Sequence, residues 1–166
     1  MTTKDILAFL EDYYSDARQF AFFKELRIGT GYRKYNRKSG IYEEDNPEQR
    51  IDAWIINCYE SKKFEKIAFE IKVSRSDFLH EIKNPQKRKQ AMKVCNLFYF
   101  VAPKGLIKVD EVPDDCGLIE ISESGRFNWT KKVPWRDTEP PSWKFIASLA
   151  RRVTKLDKRK IIVRRV

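Results

Sequence analysis

The run Leu97-Phe98-Tyr99-Phe100-Val101-Ala102 is apolar or aromatic at every position and is closed by Pro103. Such a strand offers no face to water, so it has to be covered on both sides, as in the parallel part of an α/β sheet. The remaining patterns supply strands beside it and helices to cover it. Ile6, Leu10, Tyr13, Ala17, Phe20 and Phe23 recur every three or four positions, the period of an amphipathic helix. Thr3 is placed to cap that helix, and residues 25–28 form a short extended run after it. Residues 32–49 are polar and of mixed charge, a loop or a hairpin insertion. Residues 51–59 and 64–73 read as two adjacent strands, the second carrying Phe64, Ile67, Phe69, Ile71 and Val73, with Lys62 and Lys63 at the turn between them.

Beyond these strands, Ser74-Arg75-Ser76-Asp77 has the spacing of a capping box and opens a helix through Phe78, Leu79 and Ile82. Asn84-Pro85 interrupts it and starts a second helix from Pro85 to about Cys95. Residues 117–121 and 125–129 read as a hairpin at the sheet edge. Pro140-Pro141-Ser142 introduces a last helix with Trp143, Ile146, Leu149, Ala150 and Val153 on one face. The expected architecture is α/β, a mixed sheet flanked by helices, with one domain over residues 1–150 and a basic C-terminal extension over 151–166.

Composition narrows the class of function. A chain of 166 residues, 42% of them apolar, is long enough to bury a core without staples. Cys58, Cys95 and Cys116 are odd in number and widely spaced, with no C-x-x-C pair, so zinc and dithiol chemistry are not indicated and a reducing intracellular setting is expected. No apolar stretch approaches the ~20 residues that cross a bilayer, and residues 1–4 lack the features of a signal peptide. The expected setting is cytoplasmic, in a bacterium or encoded by its phage.

The net charge is +10, and residues 151–166 alone carry +7: Arg151, Arg152, Lys155, Lys158, Arg159, Lys160, Arg164 and Arg165 against Asp157. A cationic end of this kind suits a polyanion, because each phosphate neutralised releases condensed counterions. A solvated tail that aids solubility has the same composition.

Chemistry enters with Glu70 and Lys72, two charged residues on one face of an otherwise apolar strand. On its own the pair fits an edge strand with one wet face. Asp52 changes the reading. It lies at the start of the preceding strand, and antiparallel pairing would bring its carboxylate to that of Glu70. Two converging carboxylates make a hard-oxygen site suited to Mg²⁺ or Mn²⁺, which complete their coordination with water and phosphate oxygens. Lys72, about 6–7 Å along the strand from Glu70, is placed to orient or deprotonate water and to offset charge on a phosphate.

Asp52 with Glu70-Ile71-Lys72 downstream, followed by a helix and then a strand, resembles the signature of the PD-(D/E)xK nuclease superfamily, whose core is an α-β-β-β-α-β sandwich. The finer resemblance is to the MmcB-like group of DNA-repair nucleases. It is carried by Gln49-Arg50-Ile51-Asp52, by the block from Glu70 to Phe78, by the block from Cys95 to Pro103 and by Gly117-Leu118-Ile119, and it spans roughly residues 25–121. Ile51 stands where the superfamily's name has Pro. The resemblance implies a metal-dependent deoxyribonuclease with Asp52 and Glu70 as metal ligands, the backbone carbonyl of Ile71 as a further ligand, Lys72 as the catalytic lysine and Glu25 as an outer acidic ligand. A helix-end surface acid is the plain alternative for Glu25.

Lys87, Arg88 and Lys89 crowd the start of the second helix, where the macrodipole disfavours cations. A bound phosphate would compensate, which makes Lys87, Lys89 and Gln90 candidate nucleic-acid contacts together with Arg151, Arg152, Lys158, Arg159 and Lys160. Gln86 or Gln90 also resembles the helical Gln or Lys that assists in related nucleases. His80, the single histidine, reads as a helix surface residue. Tyr32, Tyr35 and Trp135 lie among basic residues and can stack on unpaired bases, whereas Trp54 reads as core. The expected partner is DNA, with pairing of two chains left open. A catalytically idle nucleic-acid-binding protein of the same fold, and a protein-interaction scaffold in which Glu70 and Lys72 form a plain ion pair, are the competing readings.

Overall fold

The computed structural model describes residues 1–28, 33–44 and 49–163, and within these the side chains of residues 33, 34, 42–44, 87 and 155–163 lie outside the description. Helix α1 (Thr3–Tyr13) is followed by strand β1 (Phe20–Ile28), the hairpin β2 (Arg33–Asn36) and β3 (Ile41–Glu44), and strands β4 (Gln49–Asn57) and β5 (Lys66–Ile71). Helices α2 (Arg75–Lys83) and α3 (Pro85–Met92), strands β6 (Leu97–Pro103), β7 (Gly117–Ile121) and β8 (Phe127–Lys131), and helix α4 (Trp143–Val163) complete the chain.

The principal sheet runs β1-β4-β5-β6-β7-β8. Its first three strands are antiparallel, β5, β6 and β7 are parallel, and β8 turns back along β7. The α/β class expected from the chain is therefore what forms. The apolar run 97–102 lies in β6, buried at Phe98, Tyr99, Phe100, Val101 and Ala102 between two layers of side chains. On one face Trp54, Ala68, Phe78, Phe98, Phe100 and Phe145 pack together, bringing in α2, α3 and α4. On the other, Ile6, Leu10 and Tyr14 from the α1 region meet Ala53, Phe69, Ile71, Val101 and Ile119.

Helix α1 is shorter than its spacing predicts. It ends at Tyr13, and residues 20–23 are strand. The Asp16 carbonyl accepts from the N–H groups of Gln19 at 3.0 Å and Phe20 at 2.8 Å, and its side chain accepts from Arg18 N–H at 3.0 Å. An Asp competing locally for backbone donors ends helices in this way. The aromatic run then gains a long ladder with β4, from Phe20 opposite Asn57 to Ile28 opposite Gln49, and that pairing overrides a helical spacing. The cap also shifts: Thr2, not Thr3, caps α1, in a reciprocal box with Asp5.

The other boundaries differ by a few residues. The polar insertion contains the β2–β3 hairpin with Gly40 at φ +68°. Strand β5 stops at Ile71 because Ser74 caps α2 by accepting from Asp77 N–H. Helix α3 stops at Met92, before buried Cys95. Strand β8 starts two residues later than its pattern predicts, and α4 continues unbroken past residue 150 to Val163. Gly117 is required by contact rather than by turn geometry. A Cβ there would lie 2.2 Å from the Tyr99 ring and 2.8 Å from the Lys131 carbonyl oxygen.

Candidate active site

Ladder register brings the acids together. On β1 and β4, Lys24 pairs with Ala53 and Leu26 with Ile51, which sets Glu25 opposite Asp52. On β4 and β5, Ala53 pairs with Phe69, which sets Asp52 opposite Glu70. The three acids thus stand in one row across three neighbouring strands. At the end of this row the main-chain ladder gives way to a side chain: Ile71 N–H donates to Asp52 Oδ2 at 2.8 Å. Glu25 carries φ +47°, an uncommon conformation for a side-chain-bearing residue. Its place is therefore inside strand β1, not at a helix end.

Lys72 follows β5, held by its N–H donating to the Val101 carbonyl at 2.9 Å. It is only 4% exposed. Its ammonium lies 3.0 Å from Glu70 Oε1, 3.3 Å from Asp77 Oδ2 and 3.8 Å from Glu81 Oε2. Asp77 and Glu81 come from α2, four residues apart and so on one face of the helix. Sequence reasoning misses both of them. Their i, i+4 spacing after the Lys72 strand is the signal that could have found them.

The electrostatics are asymmetric. Burial alone would lower Lys72, but Glu70, Asp77 and Glu81 outweigh it and hold the ammonium above the ordinary lysine value. Glu70 is pushed up to about 7, by burial first and then by the Asp52 charge, against the opposing pull of Lys72. Asp52 is also raised, by burial foremost, with Ile71 N–H and Lys72 opposing and Asp77 and Glu25 adding to the rise. Lys72 is shared among three acids, so it does not neutralise the Asp52–Glu70 pair. Two adjacent carboxylates with a deficit of positive charge form a donor set that a hard divalent cation relieves.

This site opens into a cavity of about 350 Å³ lined by residues including Arg50, Glu70, Lys72, Asp77, Glu81 and Arg88. Among the described residues no group of three or more His, Cys, Asp or Glu side chains is gathered as a metal-ligand cluster, so the fit for a cation rests on Asp52, Glu70 and main-chain oxygen.

The candidate contacts on α3 separate. Gln90 lines a different, more apolar cavity with Trp54, Val94 and Phe145, Lys89 is exposed, and the Lys87 side chain lies outside the described residues. Among the described residues, Arg88, which its sequence neighbours conceal, is the α3 cation that lines the acidic cavity. Arg151 is exposed and Arg152 half-buried on α4, while the side chains of Lys158, Arg159 and Lys160 lie outside the described residues. Helix α4 is fastened to β1 where Ser148 Oγ donates to the Arg27 carbonyl at 2.7 Å. Trp54 is core, its Nε1 donating to the Val94 carbonyl at 2.9 Å. His80 sits on the exposed side of α2, and Tyr35 and Trp135 are exposed, whereas Tyr32 lies outside the described residues.

Together these features define an α/β protein with a six-stranded mixed sheet and a buried acid–lysine cluster at the point where β4 and β5 part. A solved structure has the same kind of fold: the SPO1766 protein of unknown function from Silicibacter pomeroyi, with a TM-score of 0.60 at 16% identity over 99% of this chain and 92% of that one. No family model matches the chain, and no curated protein does. No helix among the described residues is long and apolar enough to cross a membrane.

Proposed function

We propose that the protein is a Mg²⁺- or Mn²⁺-dependent deoxyribonuclease, with Asp52, Glu70 and Lys72 at its centre. The observation that carries this reading is the convergence of Asp52 and Glu70 across β4 and β5 with the buried Lys72 ammonium 3.0 Å from Glu70. The resemblance of Asp52 and Glu70-Ile71-Lys72 to the PD-(D/E)xK signature supports it, as does the element order α1-β1-β4-β5-α2/α3-β6, which follows that superfamily's core. The same resemblance points to DNA repair or phage DNA processing in a bacterial cytoplasm.

Asp52, Glu70 and the Ile71 carbonyl would hold the cation, with Glu25 as an outer acid. When bound, the cation supplies a lowered pKa for water and charge stabilisation at the phosphate. The protein's own groups do the rest. The Ile71 N–H fixes one Asp52 oxygen, which orients the carboxylate. Lys72 donates toward water or a phosphate oxygen, and the acids of α2 keep it charged until substrate arrives. Arg151, Arg152 and the further bases of α4 supply sequence-independent attraction to the phosphate backbone.

The test is cleavage of labelled single-stranded, duplex and branched DNA with Mg²⁺, Mn²⁺ or EDTA, comparing the wild type with Lys72→Ala and Asp52→Asn. The asparagine keeps an acceptor for Ile71 N–H while removing the charge. Metal-dependent cutting that both variants lose, with binding retained, is the expected result. One observation favours an idle nucleic-acid-binding protein: Lys72 is already engaged by Glu70, Asp77 and Glu81. Binding of every substrate by the wild type without cutting under any metal would establish that reading instead.

A further inference from the structure

Arg88 is 6% exposed, yet it lies on α3 as part of the lining of the acidic cavity. Its Nη1 donates to the Glu81 carbonyl at 3.1 Å, and its guanidinium carbon stands 5.9 Å from the centre of the Phe100 ring. Its Nε is buried and has no hydrogen-bond partner among the described residues. A buried guanidinium donor left unmatched is costly, because the desolvation of a charged group is not repaid. Packing on Phe100 explains where the arginine is held but not why Nε is left unmatched in a side chain that lines a cavity. A methionine or leucine would fill the same volume without that cost.

We infer that Arg88 is a phosphate-binding residue, its guanidinium taking an oxygen of a nucleic-acid phosphate drawn into this cavity. A planar guanidinium with an unmatched Nε–H matches a phosphate oxygen better than it matches water. The polar groups around it fit the same ligand. Arg50 and Lys72 line the cavity with Arg88, against Glu70, Asp77 and Glu81. A divalent cation between Asp52 and Glu70 would tip that balance toward positive, so phosphate and cation should bind cooperatively. The Glu81 carbonyl holds the guanidinium while the Glu81 carboxylate faces Lys72. One residue of α2 thereby sets the spacing between the cavity's two buried cations. The nuclease reading supplies the identity of the anion; the presence of an anion site stands on the guanidinium itself.

The experiment follows the Nε–H resonance of Arg88 in the ¹⁵N-labelled full-length protein, assigned by its disappearance in Arg88→Lys, while inorganic phosphate is titrated in the presence and absence of Mg²⁺. Potassium chloride at equal ionic strength serves as the control. A saturable shift with phosphate, strengthened by Mg²⁺ and not reproduced by chloride, is expected. In parallel, Arg88→Lys should raise KM for an oligonucleotide by roughly tenfold or more while kcat changes less, the effect of removing one charge-assisted hydrogen bond. A resonance that phosphate leaves unmoved in a wild-type protein that cuts DNA would overturn the inference and leave Arg88 as a packing residue on Phe100. A saturable phosphate shift in a wild-type protein that cuts nothing would keep the anion site and remove the nuclease reading. Through-bond correlation from Nε–H to the Arg88 backbone assigns the resonance in the wild type as well, so the wild-type spectrum decides even if Arg88→Lys folds poorly.

Discussion

Glu25 lies level with Asp52, between the Lys24–Ala53 and Leu26–Ile51 pairs of the β1–β4 ladder, although its own φ is +47°. The strand keeps its register through the distortion, so Glu25 adds its charge to the environment of Asp52. A position of this kind costs on the order of 1–3 kcal/mol for a residue with a side chain. Glu25→Gly should therefore raise stability while weakening the binding of the divalent cation. Thermal unfolding with and without Mn²⁺ checks both parts, and a Gly variant less stable than wild type would show that Glu25 is held by contacts rather than strained.

Protonation of Glu70 should govern cation affinity. Its folded value near 7 exceeds its ordinary 4.5. Between these values the folded protein holds a proton that the unfolded chain has released, so this group's contribution makes stability fall as pH rises through that window. Cation binding displaces the same proton. Divalent affinity should climb with pH up to about 7 and then level off, with proton release in calorimetry below that point. Glu70→Gln should flatten the pH dependence of stability, and an unchanged slope in that variant would assign the titration elsewhere.

Lys72→Met removes the ammonium from a pocket that still contains Glu70 and Glu81. Taking one partner out of a buried ion pair costs about 3–5 kcal/mol. The destabilisation should be greatest above about pH 7 and smaller below it, where Glu70 takes up a proton. Urea unfolding at the two extremes tests this; equal destabilisation at both would mean that Glu70 does not titrate in that range.

Salt dependence isolates the basic helix. Replacing Arg151, Arg152, Lys158, Arg159 and Lys160 with Gln should weaken DNA binding and reduce the slope of log K against log salt by about 0.9 for each phosphate that is no longer neutralised. Fluorescence anisotropy over a salt series measures it. A slope identical to wild type would place the DNA path away from α4.

Gly117→Ala places a methyl group where the Tyr99 ring and the Lys131 carbonyl already stand. Overpacking of this type costs about 1–3 kcal/mol. Since the Gly117 strand, β7, is separated from Asp52 on β4 by β5 and β6, the variant should unfold at lower temperature with cation affinity unaltered; a change in affinity would reveal coupling across the sheet.

The central strands are legible because burial leaves a mark in composition. Residues 97–102 have no polar position to turn toward water, and Glu70 and Lys72 stand out in β5 for the same reason. Asp52 is legible through antiparallel pairing. The start of β1 is not, because Phe20 and Phe23 satisfy a helical spacing as well as a strand, and only the ladder to β4 decides between them. Asp77 and Glu81 look like ordinary helix acids, since their meaning depends on how α2 packs over Lys72. Arg88 is hidden beside Lys87 and Lys89, because charge in a sequence carries no mark of which cation the fold will bury.

The exchange at Ile71, whose N–H bonds to the Asp52 side chain rather than to a neighbouring main chain, ties the site to the parity of the strands. Inserting or deleting one residue within β4 would swap which of Asp52 and Ala53 faces the acid row, exchanging a carboxylate for a methyl group and turning the carboxylate into the α1 core. The site can therefore be tuned by substitution but cannot drift by single-residue length change. Natural length variation in such a protein should be confined to connections such as the β2–β3 hairpin, leaving the stretch from Gln49 to Asn57 constant in length.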